Sequence, residues 1–241
     1  DLAAGSSPAG VGVGAPITST RSRLLWDTLT SAYARLGFEV LGDEAFRAMV
    51  LARIIEPTSK ADSLRVLEEI GAPHPSLRTL FRALQRCQER EYRDRLAKAC
   101  VGHSSRTSGL AAMVMYDVTT LHFEADDEDD LRRVGMSKEH RVDPQVQVGL
   151  LVDPSGFPLE LHLFEGNKAE TKTIVPVLQA FQERHGITDM VVVADAGMLS
   201  AANLNSLEDA GFSFIVGSLL VKAPYDLADH FTSKGDAFTD A

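Results

Sequence analysis

Asp117 and Asp195 are the residues of this chain whose type and placement could do chemistry. Asp117 follows the apolar stretch Val114-Met115-Tyr116, and Asp195 follows Val191-Val192-Val193-Ala194. Each stretch reads as a buried strand, so each carboxylate is expected where a sheet meets water. A hard divalent cation takes several oxygen ligands, and two strand-end carboxylates can supply them from one place. At such a site a water or a 3′-hydroxyl can be activated and the leaving oxygen of a phosphodiester stabilised. Strand-end aspartates also cap turns and helices, a role that needs no ligand.

The elements between and around the two aspartates decide whether they can meet. Residues 112–118 predict a strand, continued after a kink by residues 121–124. Gln145–Val152 alternates as a second strand. Asp153-Pro154-Ser155-Gly156 is a turn, and Leu159, Leu161 and Leu163 alternate with Glu160 and His162 on the return, which makes a hairpin. Ile174, Val177, Leu178 and Phe181 have helical spacing up to Gly186. Residues 190–195 form a short apolar strand, a helix capped by Ser200 runs to Gly211, and residues 212–216 form a last strand. The order predicts a mixed sheet flanked by helices, an α+β or α/β architecture. A right-handed crossover would lay the strand at 190–195 parallel to the first strand. Asp117 and Asp195, 78 residues apart in sequence, would then be neighbours in space.

The first half is helical in pattern. Residues 1–20 are rich in Gly, Ala, Pro and Ser and read as a flexible lead-in. Leu24, Leu25, Leu29, Ala32 and Leu36 form one stripe, and Phe46, Met49, Val50 and Ile54 a second one ended by Pro57. A third helix, capped by Thr58 or Ser59, runs to Gly71. Pro75-Ser76 opens a long helix through Leu80, Leu84, Tyr92 and Leu96. Its outer face carries Arg78, Arg82, Arg86, Arg90, Arg93, Arg95 and Lys98, a basic surface suited either to phosphate or simply to solvent. Residues 21–108 thus form an α-helical, possible DNA-binding module, and residues 109–241 the sheet domain. Trp26 and Tyr33 read as helix packing rather than base-stacking platforms.

Charge divides the chain in the same way. Residues 1–110 carry a net of +3 and residues 111–241 a net of -13, within a total of -10. An acidic module repels phosphate unless cations or a basic neighbour intervene, so any DNA affinity is expected in the first half. The acidic run from Glu124 to Asp130 reads as a solvated loop. His122, His140 and His162 share no metal-ligand spacing. Cys87 and Cys100 form neither a disulfide scaffold nor a zinc site, which points to the cytoplasm. No apolar run approaches the roughly 18 residues that span a bilayer, so no membrane partner is expected.

Three segments carry a family resemblance: Tyr116-Asp117-Val118-Thr119-Thr120-Leu121, Gly166-Asn167-Lys168-Ala169-Glu170-Thr171-Lys172-Thr173, and Val193-Ala194-Asp195-Ala196-Gly197-Met198. Together they resemble the IS4-type DDE transposases of bacterial insertion sequences, and within these the IS1634/IS1549-like group. The likeness runs from about Arg21 to Ser218 and includes Arg53-Ile54-Ile55-Glu56-Pro57-Thr58-Ser59-Lys60. It implies an RNase H-like catalytic domain, Mg²⁺ or Mn²⁺ as cofactor, and DNA cleavage and strand transfer. It also implies a homodimer on DNA, with terminal inverted repeats and target DNA as partners. By the resemblance Asp117 and Asp195 are the first and second catalytic, metal-binding carboxylates. Arg78, Arg82, Arg86 and Lys168 are the candidate DNA contacts, and Asn167, Lys168 and Glu170 could approach the site.

The family's third carboxylate, a Glu on a later helix, has no match after Ser218. Asp226, Asp229, Asp236 and Asp240 lack its spacing. The chain also starts without Met, so it reads as a fragment truncated at both ends, expected to bind cations weakly and cleave little DNA alone. An inactive remnant that only binds DNA or inhibits is the alternative. A haloacid-dehalogenase-like phosphatase is a further one, since Asp117-Val118-Thr119-Thr120 resembles its nucleophile loop. That fold needs a parallel sheet and a helix soon after the loop, where this sequence predicts a hairpin.

Overall fold

The computed structural model describes residues 21–108, 113–125, 127–135, 143–168, 173–187, 189–195 and 201–217. The lead-in at residues 1–20, His140, Glu170, Ser200 and the aspartates after residue 217 lie outside them. The chain divides into two compact units, Asp1–Ala34 with Gly42–Gln85, and Arg35–Leu41 with Arg86–Ala241.

The first unit is built from helices α1 (Arg23–Arg35), α2 (Glu44–Ile55), α3 (Ser63–Ile70) and the greater part of α4 (Leu77–Glu89). Asp43 caps α2 by accepting from the amides of Ala45 and Phe46, both at 3.1 Å. Ala48, Ala52, Val66, Leu67 and Ile70 form one core, against which Trp26 packs. Ala45, Leu80 and Ala83 form another with Phe46, Met49 and Leu64. Helix α3 begins at Ser63, later than a cap at Thr58 or Ser59 would place it. Asp62 explains the delay: its carboxylate takes the Thr58 hydroxyl at 2.8 Å and the Arg65 guanidinium, holding residues 58–62 in a turn.

The long basic helix of the sequence reading is two helices. Helix α4 stops at Glu89 and α5 (Tyr92–Thr107) starts after Glu91, whose backbone is left-handed at φ 49°. The apolar spacing continues across this break, and nothing local other than the Arg90-Glu91-Tyr92 turn marks it. A side chain held in the left-handed region costs about 1–2 kcal/mol, which glycine avoids. Glu91→Gly is therefore expected to stabilise the chain by about 1 kcal/mol, read as a higher urea midpoint with unchanged slope. No gain would mean that Glu91 makes a compensating contact.

The second unit is organised on a five-stranded sheet of order β3-β2-β1-β4-β5. Its strands are β1 (Met113–His122), β2 (Gln145–Val152), β3 (Pro158–Glu165), β4 (Val191–Ala194) and β5 (Ser213–Val216). The pairs β1–β2 and β2–β3 are antiparallel; β1–β4 and β4–β5 are parallel. This is the mixed, RNase H-like sheet expected from the sequence, and the β2–β3 hairpin excludes the all-parallel phosphatase sheet. Strand β1 runs without the anticipated kink. Val118, Thr119 and Thr120 are β-branched, and β2 pairs with β1 from Met115 to His122, so the ladder carries the strand straight through.

Helices α5, α6 (Ile174–His185) and α7 (Ala201–Asp209) complete the unit. Val101 of α5, Ile174, Val177, Leu178 and Phe181 of α6 and Leu207 of α7 share a core with Val114, Tyr116, Val192 and Ala194 of the sheet. At the hairpin turn Asp153 is buried and accepts from Ser155, from the Phe157 amide at 3.0 Å and from the Ser104 hydroxyl of α5 at 2.6 Å. Burial pushes its carboxyl up, but these bonds outweigh burial and hold it below the usual range. The hairpin turn is thereby tied to α5.

Candidate active site

The position of the two aspartates follows from the register of β1 and β4. Met113 lies opposite Val191 and Tyr116 opposite Ala194. Asp117 is the next residue of β1, and Asp195 is the first residue beyond β4. Neighbours in a parallel pair project to the same side, and adjacent strands are about 4.8 Å apart, so the register carried one residue further makes the two aspartates neighbours. Alternation fixes the side. Tyr116 and Ala194 point into the helix-covered core, so Asp117 and Asp195 take the opposite face, where both are exposed.

Asp117 is not at the end of its strand. It stands mid-way along β1, opposite Leu150 of β2, at the level where β4 stops. Half-buried Met115, Leu150 and Val193 surround the pair on the same face. Apolar neighbours of this kind strengthen electrostatic interactions with anything bound there.

The residue before Asp117 is anchored on the other face. Tyr116 is buried, and its hydroxyl donates to Thr173 Oγ1 at 3.0 Å, at the start of α6. The ring lies across Gly149 of β2; a Cβ there would stand 2.4 Å from the Tyr116 hydroxyl and 3.0 Å from two ring carbons. An isolated glycine inside an apolar strand was the sequence signal for this close approach. The three residues fix the pleat from which Asp117 projects.

Two exposed carboxylates at matched register are oxygen donors that fit a hard cation such as Mg²⁺ or Mn²⁺. Among the described residues no cluster of three His, Cys, Asp or Glu completes a cation site. Lys168 follows β3, two strands away from β1, and its ammonium lies 5.0 Å from the Phe164 ring centroid. It is not brought to the aspartates. Arg78 and Arg82 are exposed on α4, and Arg86 on the same helix is half-buried. The acidic loop is folded on itself, with Asp129 accepting from the Leu131 and Arg132 amides and the Arg132 side chain.

A second charged cluster escaped the sequence reading. Glu160 of β3 is buried, with a side chain only 2% exposed, and pairs with Arg184 of α6. His162 Nε2 lies 2.9 Å and His185 Nε2 3.1 Å from its carboxylate oxygens. Asp94 of α5 stands 3.7 Å from Arg184. Burial first, then the Arg93 charge, holds His162 down to about 4 against a weaker opposing pull from Asp94. Burial, then Arg184 and Lys98, does the same for His185, again opposed by Asp94. The cluster ties β3 and α6 together with neutral histidines and leaves the aspartate face untouched.

Residues 102–234 match the sequence family described as the transposase DDE domain. The chain belongs to that family. Its matched span contains both Asp117 and Asp195. Among curated proteins none matches the chain. Solved structures similar to this DDE domain include the Mos1 transposase paired-end complex with left transposon end, at 10% identity over 97% of this chain and 76% of that one, with a TM-score of 0.31. Another is the piggyBac transposase synaptic complex with hairpin DNA, at 11% identity over 81% of this chain and 44% of that one, TM-score 0.41. A third is the Mos1 mariner paired-end complex with Mn, at 14% identity over 95% and 68% of the two chains, TM-score 0.30. No helix among the described residues is long and apolar enough to cross a membrane.

Proposed function

We propose that this chain is the transposase of a bacterial insertion sequence of the IS4 type, in the IS1634/IS1549-like group. The reaction of this reading is phosphodiester cleavage and strand transfer, to which this chain brings Asp117 and Asp195, two of the family's three carboxylates, as ligands of a divalent cation. The observation that supports this reading is the register of β1 and β4: each aspartate follows directly on the Tyr116–Ala194 pair, and both are exposed. When bound, Mg²⁺ or Mn²⁺ supplies Lewis acidity toward the phosphodiester. The chain's own part is geometric and electrostatic. Asp117 and Asp195 converge from neighbouring strands, Tyr116 keeps the strand from turning, and the half-buried Met115, Leu150 and Val193 limit the water around the carboxylates. The partners in this reading are the terminal inverted repeats and target DNA, engaged by a homodimer.

Mn²⁺ titration of the chain tests the site without requiring turnover. Asp117→Asn and Asp195→Asn are each expected to lower Mn²⁺ affinity at least tenfold (about 1.4 kcal/mol), and the double variant little further, because one cation is shared. Unchanged affinity in Asp117→Asn would sink the shared site.

A further inference from the structure

The break at Glu91 separates the basic residues into two sets, and the set on α5 builds a site of its own. Arg95, Lys98, Ala99, Gly102 and Arg106 follow one another at helical spacing along a single stripe of α5. Opposite this stripe runs the 3₁₀ turn Phe38–Leu41, preceded by Gly37. Between them lies a cleft of about 350 Å³, lined by the stripe together with Gly37 and Val40. Among the described residues no carboxylate lines it.

The floor is made by residues too small to fill it. Gly37, at φ +80°, brings the turn so close that a Cβ on it would lie 3.7 Å from that of Ala99. A Cβ on Gly102 would lie 3.4 Å from Arg106 Nη1, so the Arg106 guanidinium folds back over the floor. On the wall, the Arg95 guanidinium donates to the Val40 carbonyl and stacks 5.7 Å from the centre of the Tyr92 ring. That bond uses part of a five-donor fork, and it holds the cation at the cleft edge. Lys98 and Arg106 are exposed.

We propose that this cleft holds the phosphodiester backbone of duplex DNA. The spacing of its cations selects a polyanion over a small phosphate. Arg95 and Arg106 are eleven positions apart on a helix, about 16 Å at 1.5 Å per residue, too far for one phosphate to meet both. A DNA strand presents a charge about every 3.4 Å of axis, so the stripe spans about five nucleotides. Residues 111–241, outside the cleft, carry a net of -13, so duplex approaching that part of the chain meets repulsion. The basic cleft then selects the orientation of the duplex on the unit that carries Asp117 and Asp195. This inference rests on the transposase reading and gives it a DNA contact distinct from Arg78 and Arg82.

The test is binding of the full chain to a random-sequence duplex across a KCl series, read by fluorescence anisotropy. Lys98→Gln/Arg106→Gln changes two exposed side chains, and an unaltered circular dichroism spectrum checks its fold. The double variant is expected to lose about tenfold in affinity at low salt, and its log K against log salt slope to flatten by about 2. Lys98→Arg/Arg106→Lys is expected to keep both. An unchanged slope overturns the proposal, as does a loss confined to Arg78→Gln/Arg82→Gln. Inorganic phosphate competing as well as DNA would also overturn it, because it would show a single-anion site. Mn²⁺ affinity measured on the same double variant keeps the two readings apart. Retained Mn²⁺ binding with unchanged DNA binding sinks the cleft and leaves the transposase reading standing.

Discussion

Arg184→Met is expected to destabilise the chain by about 3–5 kcal/mol at neutral pH, among the largest effects of any single substitution. The Glu160 carboxylate is 2% exposed, and Arg184 is the permanent cation beside it. Removing the guanidinium leaves a buried anion beside two neutral imidazoles that carry no charge, of which His185 hydrogen-bonds it. Methionine replaces most of the volume, so the loss is electrostatic rather than a cavity. Urea unfolding at pH 7.5 measures it. A loss below about 1 kcal/mol would show that Glu160 is neutral in the native state.

The pH dependence gives the same prediction a second, sharper form. His162 and His185 are held to about 4 in the folded chain against about 6.5 unfolded. Depressed histidines bind more protons when unfolded, so stability is fully present above about pH 6.5 and is lost as pH falls toward 4. Each histidine contributes on the order of 3 kcal/mol to that loss, since one unit corresponds to about 1.36 kcal/mol. In Arg184→Met the vacated charge invites a proton onto one imidazole. The variant is therefore expected to gain stability between pH 8 and 6, where the native chain is flat or falling. Parallel pH profiles for the two proteins would rule out charge balance as the role of Arg184.

The contrast between the aspartates and this cluster shows what a sequence exposes and what it hides. Asp117 and Asp195 were legible because each closes an apolar run, and because the hairpin between them forces a mixed sheet. Their shared face required only the period of a strand. Strand β3 was not legible in the same way. Its leucines alternate with Glu160 and His162, and alternation alone buries the leucines. The structure instead leaves Leu161 and Leu163 at 40% and 43% exposed and buries Glu160. The cause is Arg184 and His185, on a helix that starts after the hairpin has closed. A buried charge is acceptable only where its partner arrives, and no local pattern announces a partner more than twenty positions later. The break at Glu91 was hidden for the opposite reason. The apolar spacing from Leu80 to Leu96 fits one helix, and a left-handed glutamate carries no sequence mark. The break assigns the basic residues to two helices and sets those of the cleft on α5 alone.

Gly149→Ala is expected to destabilise the chain by about 2–3 kcal/mol and to weaken Mn²⁺ binding severalfold, although it lies on the face opposite the aspartates. The new Cβ would stand 2.4 Å from the Tyr116 hydroxyl. Tyr116 cannot swing aside freely, because its ring is buried among Val114, Ile174 and Ala194 and its hydroxyl is bonded to Thr173. The strain must pass into the β1 backbone, whose next residue is Asp117. Tyr116→Phe removes the crowded oxygen and the bond to Thr173, and alone is expected to cost about 1 kcal/mol. In the double variant the alanine meets a shorter ring, so its cost is expected to fall by about 1 kcal/mol relative to the sum of the single changes. Urea midpoints for the four proteins of this cycle measure the coupling, and Mn²⁺ titration of the same four follows its consequence at Asp117. Additive stabilities would mean that the strand, rather than the tyrosine, absorbs the added methyl group. Recovery of stability without recovery of Mn²⁺ affinity would place the functional role in the Tyr116 hydroxyl and its bond to Thr173.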